Sequence, residues 1–445
     1  MRDLTVGKPS KVLLRFCLPL FLSVIFQQLY NLADSVVAGQ FIGENALAAV
    51  GNSYEITLIY LAFAFGCNIG GSVLTAQFFG AKNYEKMKSS ISTVFITTAI
   101  TCLGLMLFGF VFGKTLLKAI QTPDNIMQDS LDYLNIYTLS LPFVFFYNLA
   151  NGLFAAFGDS TTPFIFLAVS SLSNIAMDIL FVAVFNMGVP GVAWATLICQ
   201  GFSAVASILV LLKRLKKIQT TGKIQYFSWQ IFKSFTEIAI PSVLQQSFIS
   251  VGNIFIQGII NSFGSTATAG YSAAIKLQNM VISGFTTIGN GISSYSAQNY
   301  GAEKHERIIT GHKAALKLVW LIAIPLTLLY FFAGNFVLRL FLLDEAVEAK
   351  KVGLQFLKIV APFYIIVSTK LSTDGVLRGL GLMRPFMIAT FTDLILRVLF
   401  GFVFSASFGL IGVWYAWPIG WLIGTIMSYI FYRIYVYNKI KSATI

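Results

Sequence analysis

Charge is what this sequence has least of. Only 11% of its 445 residues are Asp, Glu, Lys or Arg, against about 25% in an ordinary soluble chain. That shortage excludes a large water-facing surface. With 56% hydrophobic residues, 42 Phe and a mean hydropathy of +0.77, the composition is that of an all-α polytopic membrane protein. Histidine is scarcer still. His305 and His312 share one basic segment, so no histidine cluster exists for a metal or a proton relay. The four cysteines, Cys17, Cys67, Cys102 and Cys199, each lie inside an apolar run without metal-ligand spacing. They read as packed free thiols rather than disulfides or ligands. No phosphate-binding glycine loop, nucleophile elbow or zinc-protease motif is present. ATP-driven pumping by this chain alone and soluble-type catalysis therefore lack support, and the chain reads as a non-enzyme with no cofactor. No cleavable signal peptide is apparent, because the first apolar run is too long for one and lacks a small-residue cleavage site.

What is present is a series of apolar runs near 12–38, 54–78, 90–117, 133–157, 163–186 and 190–212, then 236–262, 271–297, 313–341, 353–377, 385–407 and 410–436. A spanning helix needs about 20 such residues, which predicts twelve transmembrane helices. The net charge of +13 could suggest nucleic acid, but the basic residues fall in short loops and ends rather than in one patch. Lys and Arg gather at the N-terminus (Arg2, Lys8, Lys11, Arg15), after the second helix (Lys82, Lys86, Lys88), in segment 213–233, after the eighth helix (Lys304, Arg307, Lys313) and in the tail. The loops 39–53 and 263–270 have none. The positive-inside rule then places both termini and the central linker in the cytoplasm, in a cell membrane.

The chain repeats itself. TAQFFGAKNYEKM (75–87) aligns with SAQNYGAEKHERI (296–308) at an offset of 221, matching Ala76, Gln77, Gly80, Ala81 and Glu85 to Ala297, Gln298, Gly301, Ala302 and Glu306. Gly188, Gly191, Val192 and Ala195 match Gly409, Gly412, Val413 and Ala416 at the same offset. Pro19 and Asn31 match Pro241 and Asn253 at 222. The expected organisation is an N-lobe over 1–212, a cytoplasmic linker over 213–233 and a C-lobe over 234–445. Six helices per half is an even number, so both halves run the same way through the membrane. They would be related by a pseudo-two-fold along the membrane normal, which is transporter architecture.

Within the apolar runs a few polar residues stand out. Asp34 sits alone, with no Lys or Arg between Arg15 and Lys82. A charge at the centre of a spanning helix costs about 2.5–3.5 kcal/mol even on the lenient insertion scale. Something must offset that cost: a proton, a bound cation, or a polar cavity shared with another helix. SLSNIAMDILF (171–181) puts Asn174 and Asp178 four apart on one helix face, and Thr196 lies in the next run. Carboxylate, amide and hydroxyl oxygens suit a hard cation such as Na+, while two neighbouring buried acids would also hold one proton. Gln27, Asn31, Tyr147, Asn148, Asn151, Gln245 and Gln246 are candidates to line a cavity, although aromatics in such runs more often pack than bind. The second half has no acid at the position matching Asp34. Its own acids have basic residues four away, Lys370 with Asp374 and Asp393 with Arg397, an ion-pair spacing on a helix that suggests structural or gating pairs.

Taken in order, QQLYNLADSVVAGQFIG (27–43), AQFFGAKNYEK (76–86), NGLFAAFGDSTTP (151–163), NIAMDILF (174–181), GVPGVAWAT (188–196) and GVLRGLGLMRP (375–385) resemble a bacterial multidrug and toxic compound extrusion (MATE) transporter. The resemblance implies a two-lobed, twelve-helix monomeric antiporter in the lipid bilayer. It would export cationic amphipathic compounds in exchange for Na+ or H+, with no nucleic-acid partner. It also assigns the first-lobe ion site to Asp34, Asn174, Asp178 and Thr196. Members that use acids in helices 7 and 10 are matched only by Asp374, since the seventh helix offers Gln245 and Gln246. A related architecture, the lipid-linked oligosaccharide flippase, is the alternative. It would need a cationic cavity, for which Lys370 and Arg397 are available.

Overall fold

In hydrocarbon a backbone N–H or C=O finds no water, so each apolar run must satisfy its own hydrogen bonds as a helix. The computed structural model describes residues 2–37, 44–220, 222–339, 341–342 and 346–438; of 29–37, 44–48, 54–55 and 438 it describes the backbone alone. The helices are α1 (Pro9–Val37), α2 (Glu44–Gly80), α3 (Tyr84–Ala119), α4 (Met127–Ala156), α5 (Thr161–Ile179), α6 (Gly188–Lys216), α7 (Trp229–Asn261), α8 (Ser265–Gly301), α9 (His305–Leu338), α10 (Val347–Val360), α11 (Tyr364–Gly379), α12 (Met383–Phe408) and α13 (Leu410–Tyr432). No strand occurs among the described residues. A 3-10 turn at Ala361–Phe363 separates α10 from α11, where Pro362 withholds an N–H from the helical ladder. The two make one span.

Eleven described segments are long and apolar enough to cross a membrane. The twelfth predicted span, α8, has the length, 37 residues, but is rich in Gly, Ser, Thr and Asn. Its small residues let neighbours approach closely. A Cβ added at Gly375 of α11 would lie 2.4 Å from the Gly289 carbonyl oxygen of α8, so only glycine permits that crossing.

The chain forms two compact units: Met1–Asp3 with Leu18–Val243, and Leu4–Cys17 with Leu244–Ile445. The division therefore falls inside α1 and α7, beside Pro19 and Pro241, rather than in segment 213–233. In the first unit α2 and α3 pack on α4, which packs on α6, and α5 packs on α6. In the second, α8 and α9 pack on α11, α11 on α13, and α12 on α13. The same pairings recur in the same order. Each unit has its own apolar core, the first around Tyr60, Phe145, Phe154 and Phe157, the second around Tyr271, Phe356, Tyr364 and Trp414.

The repeat is also written in the backbone. Gly188 and Gly409, 221 apart, both have positive φ (63° and 62°) at the start of α6 and α13. Lys82 and Glu303, also 221 apart, are non-glycine residues at φ 56° and 57°, where the chain leaves α2 and α8. The same bonds close both turns, from Ala81 to Gln77 and Asn83 to Phe78, and from Ala302 to Gln298 and Lys304 to Asn299. The Gly-Ala motif thus ends a helix with a left-handed residue.

Candidate ion-coupling site and the charged interior of the second unit

On α5 the buried residues are Pro163, Ser171, Asn174 and Asp178, and three of the four are polar. Ser171, Asn174 and Asp178 follow one another at helical spacing, so they form one stripe. The opposite face carries Ile165, Val169 and Leu172, the last 62% exposed. Burying the polar side and exposing the apolar one is the pattern of a helix whose outer surroundings are lipid. Asp178 is fully buried and Asn174 nearly so. Immediately beyond them the helix loosens into a π turn, Leu180–Val184, a departure from α geometry frequent at functional positions.

Helix α6 packs on the flank of α5 beside this stripe. The Ser170 hydroxyl donates to the Cys199 carbonyl at 3.3 Å, and Cys199 Sγ lies 3.6 Å from Met177 Sδ. Thr196 lies one turn before Cys199 on the same helix. Asn174, Asp178 and Thr196 are all buried, and each is engaged in an interaction. Asp34 and Asn31 lie near the end of α1 in the same unit; their side chains are outside the described residues.

The remaining cavity candidates divide. Tyr147 is buried on α4, with Asn148 and Asn151 half-buried beside it. Asn148 turns its amide to its own helix, the Val144 carbonyl. Its carbonyl receives Asn68 Nδ2 at 2.7 Å, which makes Asn68 of α2 part of this polar interior. The sequence reading passed over Asn68, whose signal is an amide alone in the apolar run GCNIGGS. Gln27 is exposed on α1, while Gln245 and Gln246 are half-buried on α7 in the second unit.

At the start of α5, outside the membrane-spanning part, Asp159 forms an ion pair with Arg214 of α6 and accepts from the Thr161 and Thr162 N–H groups and the Thr162 hydroxyl. Arg214 also donates to Thr162 Oγ1 at 2.8 Å. Burial alone would raise the Asp159 pKa. The bonds from Thr162 and Arg214, with the Arg214 charge, outweigh burial and hold it below the ordinary 3.8. A cavity of about 240 Å³ lies here, lined by Arg2, Asp159, Thr161, Thr162 and Arg214.

The second unit buries charge differently. Lys370 Nζ lies 2.8 Å from Asp374 Oδ2 within α11 and 3.7 Å from Asp393 Oδ2 of α12. Ser428 of α13 donates to Asp374 Oδ1 at 2.6 Å. The i,i+4 pairing expected between Asp393 and Arg397 is not made; Arg397 lies over the Trp417 ring at 4.4 Å. Arg378, also four residues from Asp374, donates to Asn290 Oδ1 at 2.9 Å instead. One ammonium thus serves both acids, because α13 presents Gly420 and Gly424 to them. A Cβ at Gly424 would meet Lys370 Cε at 2.7 Å and Asp393 Cβ at 2.8 Å. Sequence spacing had offered each acid a partner on its own helix, and only packing could select the one between helices.

The MatE family model matches the chain twice, over residues 19–180 and 241–403, one match per half. The chain belongs to the MatE family. Among relatives of this MATE protein, the probable multidrug resistance protein YpnP of Bacillus subtilis (strain 168) is 26% identical over 97% of this chain and 96% of its own length. The probable multidrug resistance protein YoeA of the same organism is 27% identical over 97% and 96%. A solved outward-facing multidrug resistance MATE family transporter of the MOP superfamily has the same fold, with a TM-score of 0.92 at 23% identity, covering 98% of each chain. This chain is accordingly a multi-pass membrane transporter of small molecules rather than an enzyme.

Proposed function

We propose that this MATE protein is a secondary antiporter of the cell membrane. It acts as a monomer with both termini cytoplasmic and exports amphipathic organic cations in exchange for Na+ or H+. The observation that supports the reading best is the buried stripe Ser171–Asn174–Asp178 on a helix that otherwise shows lipid-facing side chains, with Thr196 buried on the neighbouring α6. Oxygen atoms of carboxylate, amide and hydroxyl type hold Na+ well, and the same carboxylates accept a proton. Asp34, carried by α1 in the same unit, completes the set as the second acid.

In this mechanism the ion enters from outside and offsets part of the negative charge of Asp34 and Asp178. Their remaining charge favours the exported cation less, so the cation dissociates. The ion-bound state then returns inward, where a low ion concentration empties the site. Exchange requires only that ion and drug favour different states. Purified protein in liposomes tests this, with efflux of a fluorescent organic cation followed under separately imposed Na+ and H+ gradients. One gradient should drive efflux, and Asp34→Asn and Asp178→Asn should each lower the coupled rate at least about tenfold while leaving thermal unfolding near wild type. Wild-type coupling in either variant would remove that acid from the mechanism.

The flippase alternative draws on the second unit, where Lys370, Arg378 and Arg397 are buried against two acids, Asp374 and Asp393. It predicts binding of an anionic lipid pyrophosphate and indifference to both gradients.

A further inference from the structure

The segment joining α6 to α7 is held to the first unit by its backbone. Lys88 Nζ donates to the Ile218 carbonyl at 2.6 Å and Ser92 Oγ to the Tyr226 carbonyl at 2.7 Å. The N–H groups of Gly222, Gln225 and Ser228 donate to Glu85 Oε1, Ser89 Oγ and Thr93 Oγ1. These partners all belong to the first turns of α3, directly after the Gly-Ala motif.

In the second unit the matching turn also receives a chain segment. Leu4 N–H donates to Gln298 Oε1, Lys304 Nζ donates to the Thr5 carbonyl, and Arg307 donates to the Gly7 carbonyl. There the docked segment turns its apolar side chain inward, and Leu4 is fully buried. The linker does the reverse. Tyr226 is 83% exposed, Trp229 72% and Phe227 43%, so exposure of large aromatics is not forced by docking at this turn. It needs its own explanation.

We infer that this linker is a docking surface for the anionic lipid headgroups of the inner leaflet. Trp229 is the first residue of α7 and of its membrane span, so the aromatics stand at the depth where Trp and Tyr settle between water and hydrocarbon. Trp229 stacks on Phe232 with ring centroids 4.9 Å apart, a rigid knob rather than a loose tip. Around it the charge is mostly basic. Segment 213–237 contains six basic residues and one acid, Glu237. Lys216, Lys217 and Lys223 are exposed, and none has a carboxylate within ion-pair distance among the described residues. Lys and Arg beside a membrane-entering helix attract acidic lipid, whereas a zwitterionic lipid presents them no net charge. The side of the membrane rests on the cytoplasmic orientation proposed above; the choice of anionic lipid does not.

The test uses the full-length protein in phosphatidylcholine nanodiscs. They contain a small fraction of either phosphatidylglycerol or phosphatidylcholine brominated near the headgroup. The readout is quenching of the fluorescence component that Trp229→Phe removes. Brominated phosphatidylglycerol should quench it about fivefold more per lipid than brominated phosphatidylcholine. The preference should narrow at high salt and vanish in the triple variant K216Q/K217Q/K223Q with unfolding temperature unchanged. Equal quenching by both lipids in the wild type would reduce the surface to an interfacial anchor without charge selection and overturn the proposal. So would the absence of quenching by either, which would leave the surface to a soluble partner. Neither result depends on ion gradients, so transport coupling can fail while this inference stands.

Discussion

Asp159 and Lys370 show how differently a single residue can hold charge in this protein. Asp159 is paired and hydrogen-bonded at the end of the membrane-spanning part, with its pKa below 3.8. A depressed carboxylate contributes stability that is present above the unfolded value and is lost as pH falls through the folded one. Acid titration of thermal unfolding should therefore show wild-type stability falling below about pH 4. Asp159→Asn, already uncharged, should give a flatter curve over the same window. Lys370 instead lies deep in the second unit between Asp374 and Asp393. Lys370→Met leaves two buried acids without their cation, a change that costs about 3–5 kcal/mol. Adding Asp374→Asn should recover part of the loss, and denaturation in detergent micelles measures both. If the double variant unfolds no later than the single one, Asp374 does not depend on Lys370.

At the scale of elements, two glycines separate two physical effects. At Gly375→Ala the new methyl meets the Gly289 carbonyl oxygen at 2.4 Å, so α8 and α11 must part at a cost of about 1–3 kcal/mol. At Gly409→Ala the nearest side-chain atom is 3.9 Å away, and the cost is that of a side chain on a backbone at φ 62°, ψ −145°, a conformation essentially confined to glycine, about 1–3 kcal/mol. Unfolding free energies should fall in both. Only Gly375→Ala should also disturb the contacts of α8, read as faster hydrogen exchange in that helix. Elements are also where the sequence was most readable. An apolar run of span length has one way to satisfy its backbone in lipid, so α3, α5 and α12 fall where the runs predict. The α8 helix is predicted from the run 271–297, although Gly, Ser, Thr and Asn dilute its apolar signal. The break between α10 and α11 was hidden because Pro362 lies inside an otherwise continuous run, as Pro142 does in the unbroken α4.

For the whole molecule, the orientation of the chain is the prediction to check. All four native cysteines are buried, so an introduced thiol reports with little background. Lys223→Cys should react with an impermeant maleimide only from the cytoplasmic side, and Ser265→Cys only from outside. The opposite pattern would reverse the topology read from Lys and Arg, and labelling of both from one side would break it. The sequence by itself determined the membrane class, the spans, the duplication and the polar residues of α5, because each follows from composition or from spacing along one helix. Tertiary structure alone decided where the units divide, within α1 and α7 rather than in the linker, because a proline-containing helix can serve two cores. It also decided that Lys370, not Arg397, holds Asp393, and that Asn68 joins the polar interior of the first unit. Those are contacts between helices, and spacing along a single chain carries no information about which faces will meet.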